Sequence, residues 1–306
     1  MIQTVLGKVL PDELGIVLPH EHILVGFITE GKMGPEDYDR EEVVRAMLPR
    51  LLDLKAAGCS TLAECTPEFL GRDPVLLQTL SRLSGLHILT NTGFYQAPYL
   101  ASFVYDLDAR GLKDIWVKEA REGIGDSGVK PGFIKIALSS GGPVPPVQRT
   151  ILEAALLTSR DTGLVIQAHT IGGEAAMQAL SIMKAQEFDP HRFIWVHADS
   201  EKDLAFHQKA AEAGMWIEVD SISWRPLEEH LGIVLKLLDL GLEDHLLLSQ
   251  DAGWYHVGEP GGGEIKPYTP LLTDFVPLLK GYGISQAVID KLLTKNPARA
   301  LDIKQE

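Results

Sequence analysis

The chain has 306 residues, of which 45% are hydrophobic, so it is long and apolar enough to bury a large core. It has 28 Lys and Arg against 42 Asp and Glu, and the resulting net charge of −14 excludes nucleic acid and anionic membranes as expected partners. No secretory leader or membrane-spanning apolar run is recognisable, and Cys59 and Cys65 are too few for a disulfide framework, so we expect a cytoplasmic protein.

Short β-rich apolar runs alternate with longer helical patterns along the chain. The predicted strands are residues 15–18, 61–65, 87–90, 133–138, 164–168, 193–196, 215–219 and 246–249. The predicted helices are residues 40–57, 74–84, 109–123, 146–162, 174–187, 200–213, 226–240 and 273–281. Continuous apolar strands separated by helices are typical of a parallel sheet covered by helices. Eight such units predict an α/β fold, a (β/α)₈ TIM barrel with one domain over residues 1–306, and an open doubly wound sheet is the alternative. Residues 1–14 are predicted to cap the barrel, with a hairpin at residues 3–10.

Polar residues cluster at the carboxyl ends of these strands, the face where barrel enzymes carry their chemistry. Four of the ten histidines fall there, together with a lysine inside the fourth strand and an aspartate after the eighth. The six residues are His20, His22, Lys135, His169, His197 and Asp251.

This set predicts a metal centre. In His20-Glu21-His22 the period-2 geometry of a strand directs both imidazoles to one side and Glu21 to the other. Imidazole and carboxylate ligands suit Zn²⁺, Mn²⁺, Co²⁺ or Fe²⁺. A single catalytic zinc usually takes three protein ligands, so this larger set indicates two divalent ions about 3.5–4 Å apart.

Lys135 lies in an apolar strand, where burial disfavours the charged ammonium and favours a neutral, nucleophilic amine. Such an amine can add CO₂ to become a carbamate that bridges two cations. A Schiff base is the alternative use of this amine, but it needs no metal and leaves the histidines unexplained. Three other carboxylates near strand ends, Glu64, Asp199 and Asp220, fit local hydrogen bonding as well as a functional role.

With these residues in place, the chain resembles the phosphotriesterase family of the amidohydrolase superfamily. The resemblance covers nearly the whole length, through "ELGIVLPHEH", "LGRDPVLLQTLSRLSGLHILTNTGFY", "GFIKIA", "IQAHT", "WVHAD", "LLSQDAG" and "NPARAL". It implies a binuclear centre, commonly zinc, in which a metal-bridging hydroxide attacks an ester. It also implies that His20, His22 and Asp251 hold the inner ion, that His169 and His197 hold the outer ion, and that carboxylated Lys135 bridges both.

By the same resemblance, Asp251 accepts the proton of the hydroxide, with a role as a ligand alone as the alternative. Tyr95 matches a tyrosine that lies near the metals in the lactonase branch of the family, and a role in orienting substrate follows. The chain departs from the family at two positions. Ser221 replaces the Arg or His expected after the seventh strand, and Ser200 replaces the relay aspartate expected three residues after His197.

The sequence therefore predicts a metal-dependent hydrolase of small esters, foremost a lactonase or carboxylesterase with side activity on phosphotriesters. An amidase acting on N-acyl compounds and a dedicated phosphotriester hydrolase are the alternatives, and a homodimer is expected from the resemblance. Three residues of the last two loops are candidate contacts for an anionic substrate: Arg225, Lys266 and Tyr268.

Overall fold

The computed structural model describes residues 1–139 and 142–303, and the chain begins with the predicted hairpin. Its strands, Ile2–Thr4 and Gly7–Val9, are antiparallel, and the backbone N–H of Val5 donates to the carbonyl of Ile88. The side chain of Ile2 is fully buried in a cluster with barrel-interior residues such as Val17 and Phe133. The hairpin therefore packs against the floor of the barrel interior.

Eight parallel strands form the barrel, and the predicted (β/α)₈ fold is confirmed. The strands are β1 (Ile16–Val25), β2 (Cys59–Glu64), β3 (His87–Leu89, continued by Asn91–Thr92), β4 (Phe133–Leu138), β5 (Ile166–Thr170), β6 (Phe193–Val196), β7 (Trp216–Val219) and β8 (Leu246–Leu248). Each pairs in parallel with the next along the chain. The circle closes through the segment Gly253–His256, which pairs with the second half of β1.

Helices cover the outside of this sheet. They are α1 (Arg40–Ala56), α2 (Pro74–Ser84), α3 (Ala109–Glu122), α4 (Pro146–Thr162), α5 (Gly173–Ala185), α6 (Leu204–Glu212), α7 (Leu227–Asp239), α8 (Val276–Gly281), α9 (Gln286–Asp290) and α10 (Asn296–Leu301). Their ends carry local signals: Asp73 caps α2 through the N–H groups of Val75 and Leu76, and Gly85 ends that helix in the left-handed conformation. Among the described residues, no helix is both long and apolar enough to cross a bilayer.

Alternation along the strands decides which side chains enter the barrel. On β4, Phe133 lies in the interior cluster and Ile134 in the outer core, so Lys135 points inward again. On β7 the outer residues Ile217 and Val219 leave Glu218 facing inward by the same rule. The interior is therefore apolar at the floor and polar towards the carboxyl ends of the strands.

The end of β1 differs from the prediction, which placed the histidines after the strand. The strand runs on to Val25, so His20 and His22 lie within it. Its pairing with β2 shifts register between Leu18 and Glu21, where Pro19 has no N–H to donate. The segment Gly253–His256 supplies a new partner beyond this point, which explains why the strand continues.

A buried ion-pair cluster fastens α3 to the site end of the sheet. The guanidinium of Arg72, 3% exposed, donates to both carboxylate oxygens of Glu119 at 2.9 and 2.7 Å and to Glu68 at 2.8 Å. It also donates to the carbonyl of Asn91 at 2.9 Å. Removing one partner of such a cluster leaves buried charge without compensation.

We expect Arg72→Met to lower the free energy of unfolding by about 3–5 kcal/mol, because Glu119 would stay buried without its guanidinium. Urea unfolding followed by circular dichroism measures this change. The matched control is Arg149→Met, since Arg149 makes an exposed i,i+4 pair with Glu153 that is worth about 0.5 kcal/mol. Equal losses in the two variants would contradict a special role for the cluster.

Candidate metal centre

The six predicted residues converge at the carboxyl ends of the strands. The Nε2 atom of His20 lies 3.2 Å from Lys135 Nζ and 3.6 Å from Asp251 Oδ1. The Nε2 atom of His22 lies 3.1 Å from the same oxygen. The rings of His169 and His197 are 4.6 Å apart, and that of His197 is 5.1 Å from His20. Five separate strands and their following loops thus bring their polar groups to one place.

His22, the second histidine of β1, is held in place by Thr66. Its Nδ1 atom shares a 2.7 Å hydrogen bond with Thr66 Oγ1, which leaves Nε2 directed towards Asp251. Thr66 is itself fixed by Glu64, whose Oε1 accepts from the backbone N–H of Thr66 at 3.2 Å and from that of Ile23 at 3.3 Å. Glu64 therefore serves local hydrogen bonding, and it orients His22 only through Thr66.

Asp220, at the end of β7, orients His197 and lies beside His20. Its carboxylate accepts from the backbone N–H of His197 at 3.0 Å and contacts His197 Nδ1 at 2.8 Å. The second oxygen lies 3.2 Å from His20 Nδ1. The carboxylate thus sets the ring orientation of His197, as carboxylates behind metal-binding histidines do, and it lies beside His20 Nδ1 without a well-aligned hydrogen bond.

Close backbone approach around the site requires glycine at two positions. Gly93 has φ +113°, and a Cβ there would come within 2.1 Å of the carbonyl oxygen of Lys135. Gly253 has φ +93°, and a Cβ there would come within 1.8 Å of the carbonyl oxygen of His22. A side chain at either position would displace a strand that carries a predicted ligand.

Burial decides the protonation of the imidazoles. Desolvation lowers the pKa of His20, His22 and His169 below the usual value, so these rings are neutral and offer lone pairs. Desolvation also acts on His197, but the charge and hydrogen bond of Asp220 outweigh it and raise the pKa of this ring. Neutral imidazoles beside a carboxylate are a donor set for a divalent cation.

The arrangement fits a metal ion on geometric grounds. Donor atoms of His20, His22 and Asp251 all lie within 4.8 Å of one another. Those of His20, His197 and Asp220 are equally close, but there Asp220 faces the Nδ1 atoms on the far side of the rings. Asp251 Oδ1 is buried and receives no well-aligned hydrogen bond from the described residues, although His22 Nε2 is 3.1 Å away. Two acceptors that face each other at this distance are stabilised by a cation between them.

A small aromatic-walled cavity of about 70 Å³ lies over this set. Ring contacts lead from His22 to Trp254 at 4.1 Å, from Trp254 to Phe27 at 6.0 Å and from Phe27 to Tyr99 at 5.5 Å. Ring contacts continue from Tyr99 to Tyr95 and end at His169, where Tyr95 Oη lies 3.3 Å from Nδ1. We call Phe27, Tyr95, Tyr99 and Trp254 the aromatic collar; Phe27, Tyr95 and Trp254 line the cavity, and Tyr99 packs behind them.

The three predicted anion contacts lie in different environments. Tyr268 is 1% exposed, and its hydroxyl donates to the carbonyl of His22. It therefore supports β1 from behind and does not face a substrate, which corrects the prediction. Arg225 is paired with Asp199 Oδ2 at 3.0 Å. Lys266 places its ammonium 3.9 Å from the ring centre of Trp224, which in turn donates to the carbonyl of Asp251.

Ser200, at one of the expected relay positions, and its neighbour Asp199 both have local partners. Ser200 donates to the carbonyl of His197 at 2.6 Å and accepts from the N–H of Gly172, so its hydroxyl has local partners. Asp199 is buried beside Arg225 and within 3.4 Å of His230 Nε2. Its carboxylate therefore stabilises the loop after β6.

Several residues of the site are not predicted from the sequence. Thr66 lies two residues beyond β2, a strand-end position that could have been noted. Phe27 and Tyr99 lie in loops and Trp254 lies in the paired segment Gly253–His256, and no local pattern predicts that they meet, because their contact depends on the closure of the barrel.

Both cysteines are buried, and Cys65 lines the cavity. Burial raises the pKa of the Cys59 thiol to about 12 and that of Cys65 above its usual range, so both thiols stay protonated well above neutral pH. We therefore expect a disulfide reagent such as DTNB at pH 8 to label neither thiol of the folded protein within minutes and both after unfolding. Rapid labelling of the folded protein, assigned with Cys59→Ser and Cys65→Ser, would show that the cavity opens.

Known proteins resemble this chain along nearly all of its length. The model of a family described as "Phosphotriesterase family" matches residues 1–301. A "Phosphotriesterase homology protein" of Escherichia coli is 28% identical and spans 94% of this chain and 98% of its own. The human "N-acetyltaurine hydrolase" is 26% identical and spans 99% of this chain and 98% of its own.

Solved structures also resemble this chain over nearly all of its length. A mutant of a "PTE-like lactonase" from Deinococcus radiodurans superposes with a TM-score of 0.88 at 29% identity, covering 99% of this chain and all of the other. These similarities extend over both the barrel and the loops that carry the predicted ligands. They support a metal-dependent hydrolase that acts on ester bonds of small molecules.

Proposed function

This chain belongs to the phosphotriesterase family, and from that premise we propose that it is a binuclear lactonase or carboxylesterase with lesser activity on phosphotriesters. The observation that carries the proposal is the convergence of neutral imidazoles, a buried carboxylate and Lys135 beneath a small aromatic cavity. Loss of any of these groups would have favoured a barrel that only binds a ligand, and all are present.

We assign the predicted ligands to two ions, with zinc expected and manganese, cobalt or iron as alternatives. The inner ion would be held by His20, His22 and Asp251 and the outer ion by His169 and His197, and Lys135, carboxylated by CO₂, would contribute a ligand to both. The short distances of His20 and His22 from Asp251 support the first group. The contact between Lys135 Nζ and His20 Nε2 places the amine at the same centre.

When bound, the two cations supply a hydroxide nucleophile near neutral pH and polarise the substrate oxygen. Asp251 is the carboxylate next to this position, and it accepts the proton and passes it towards the leaving group. Tyr95, with its hydroxyl at His169, orients the substrate from the collar. Asp220 holds His197 in place during these steps.

The lining of the cavity favours a compact ester. A lactone presents a planar carbonyl with one ring, whereas a phosphotriester carries three substituents around phosphorus. The rings of Phe27, Tyr95 and Trp254, which line the cavity, can pack against the flat ring of the former. A carbonyl that becomes tetrahedral on hydroxide attack resembles a phosphoryl centre, which explains why lesser phosphotriesterase activity is expected.

One observation favours a second candidate, the hydrolysis of N-acyl amides with an anionic leaving group. Lys266 stacks on Trp224 beside the loop of Asp251, and no carboxylate pairs with its ammonium among the described residues. A relative is named for hydrolysis of N-acetyltaurine. A cation beside the loop of Asp251 would attract the acidic end of such a compound.

A substrate panel under metal-replete conditions tests the proposal. It contains γ- and δ-lactones, acyl-homoserine lactones, sugar-phosphate lactones, aryl esters, N-acetyl amino acids and a phosphotriester, compared by kcat/KM. We expect lactones or esters to lead, and loss of their turnover on chelation with recovery on adding metal. Preference for N-acyl amides, with a specific loss in Lys266→Ala, would select the second candidate. Turnover that is indifferent to chelation would overturn both.

A further inference from the structure

We propose that Glu21, between the two histidines of β1, is a positioning residue that holds Asp251 at the metal centre. The inference rests on the proposed function, since it concerns the ligand assigned to the inner ion. Glu21 is fully buried, and its side chain points away from the imidazoles of His20 and His22 towards the segment after β8.

The Glu21 carboxylate takes hydrogen bonds from both sides of Asp251. Its Oε1 accepts from Ser249 Oγ at 2.7 Å and from the backbone N–H of Gln250 at 3.0 Å. Its Oε2 accepts from the backbone N–H of Ala252 at 2.7 Å. Asp251 is the one residue of this four-residue segment that Glu21 does not bind, and its side chain is thereby left free to face the histidines.

This segment is also the seam of the barrel. β8 ends at Leu248, and the pairing with β1 begins at Gly253. Residues 249–252 therefore lie between two strands. Backbone bonds across the seam join Asp251 N–H to the His20 carbonyl at 3.1 Å and His22 N–H to the Ala252 carbonyl at 2.9 Å. Glu21 adds three bonds at the same place from a single side chain.

The backbone of Asp251 needs such support. Its φ is +51°, in the left-handed region that residues with a side chain seldom adopt. This conformation turns the carboxylate inward, and it persists where the neighbouring residues are fixed. Glu21 fixes the amides of both neighbours, Gln250 and Ala252. It thereby constrains the backbone of Asp251 and the direction in which its side chain points.

We test this with Glu21→Gln, in which an NH₂ group replaces one oxygen and cannot accept from an N–H. Purified wild type and variant are loaded with Co²⁺ and compared by metal content, visible absorption and steady-state kinetics on the best substrate of the panel. We expect the variant to lose about one of two ions, to change the absorption of the remaining centre, and to lose at least about 30-fold in kcat with KM within about threefold.

The control variant removes hydrogen bonds at the start of β8, the end of that strand opposite to the segment that Glu21 binds. The amide of Asn296 donates to the carbonyls of Glu243 and Leu246 at 2.7 and 2.8 Å, next to the start of β8. Asn296→Ala should lower the melting temperature while metal content, absorption and kcat stay as in the wild type. If Glu21→Gln and Asn296→Ala lose activity in proportion to their stability, Glu21 has only a structural role and the proposal fails.

Glu21→Asp covers the case in which Glu21→Gln does not fold, because it keeps a carboxylate but draws it back by one methylene group from the amides of Gln250 and Ala252. It should bind Co²⁺ more weakly and lose about three- to tenfold in kcat. Wild-type metal binding and kcat in the folded variants would overturn the role of Glu21. A wild-type protein without metal or hydrolysis would instead count against the proposed function.

Discussion

Lys135→Ala should abolish turnover and empty the metal centre, with a fall in kcat/KM on the order of 10³-fold or more, equivalent to at least about 4 kcal/mol. The amine lies 3.2 Å from His20 Nε2, is 2% exposed and points into the barrel from β4. It lies on β4, which pairs with the strand that carries His169, and it contacts His20 of β1. If the proposed carbamate forms, its removal would deprive both ions of the ligand that they share.

Metal analysis and kinetics before and after reloading measure this effect, and three controls sharpen it. Short carboxylates added to Lys135→Ala should restore part of the activity by replacing the carbamate. Wild type reloaded in CO₂-free buffer should regain less activity than wild type reloaded with bicarbonate. Borohydride trapping of substrate on wild-type Lys135 would support the Schiff-base alternative. Wild-type activity in Lys135→Ala would show that the carbamate hypothesis is wrong.

The barrel and the identity of the polar cluster could be predicted because both follow from local rules. Strand alternation places Phe133 and Lys135 on the same side of β4. Because Phe133 lies in the interior cluster, Lys135 also points into the barrel. The same rule sends Glu21 away from His20 and His22, which the structure confirms. Boundaries were less exact, because the end of β1 is decided by pairing with Gly253–His256, far along the chain.

What the sequence could not provide is the environment above and behind the ligands. Tyr268 was predicted to face a substrate, but barrel closure turns its ring behind β1. Asp220 could have been a loop carboxylate or a functional one, and only the structure shows it bound to His197 and beside His20. The aromatic collar brings together residues that are far apart along the chain, such as Phe27 and Trp254.

Asp251→Asn separates the two roles open to this residue, ligand and proton acceptor. The amide oxygen keeps a neutral donor near His20 and His22, so metal affinity should weaken while part of the metal remains bound. The amide has no basicity, so it cannot accept the proton of the nucleophile. We therefore expect kcat to fall by about 10²–10⁴-fold even in fully reloaded protein, a range typical for removal of a general base.

The measurement is kcat at saturating metal, with metal content determined on the same samples. His169→Asn is the matched comparison, since it removes one ligand of the outer ion and leaves Asp251 in place. If occupancy alone limits turnover, both variants should regain activity in parallel as metal is added. If Asp251 also takes the proton, Asp251→Asn should stay slow at full occupancy while His169→Asn recovers. Full recovery of Asp251→Asn would reduce Asp251 to a ligand, and the proton would then leave through solvent in the cavity beneath the aromatic collar.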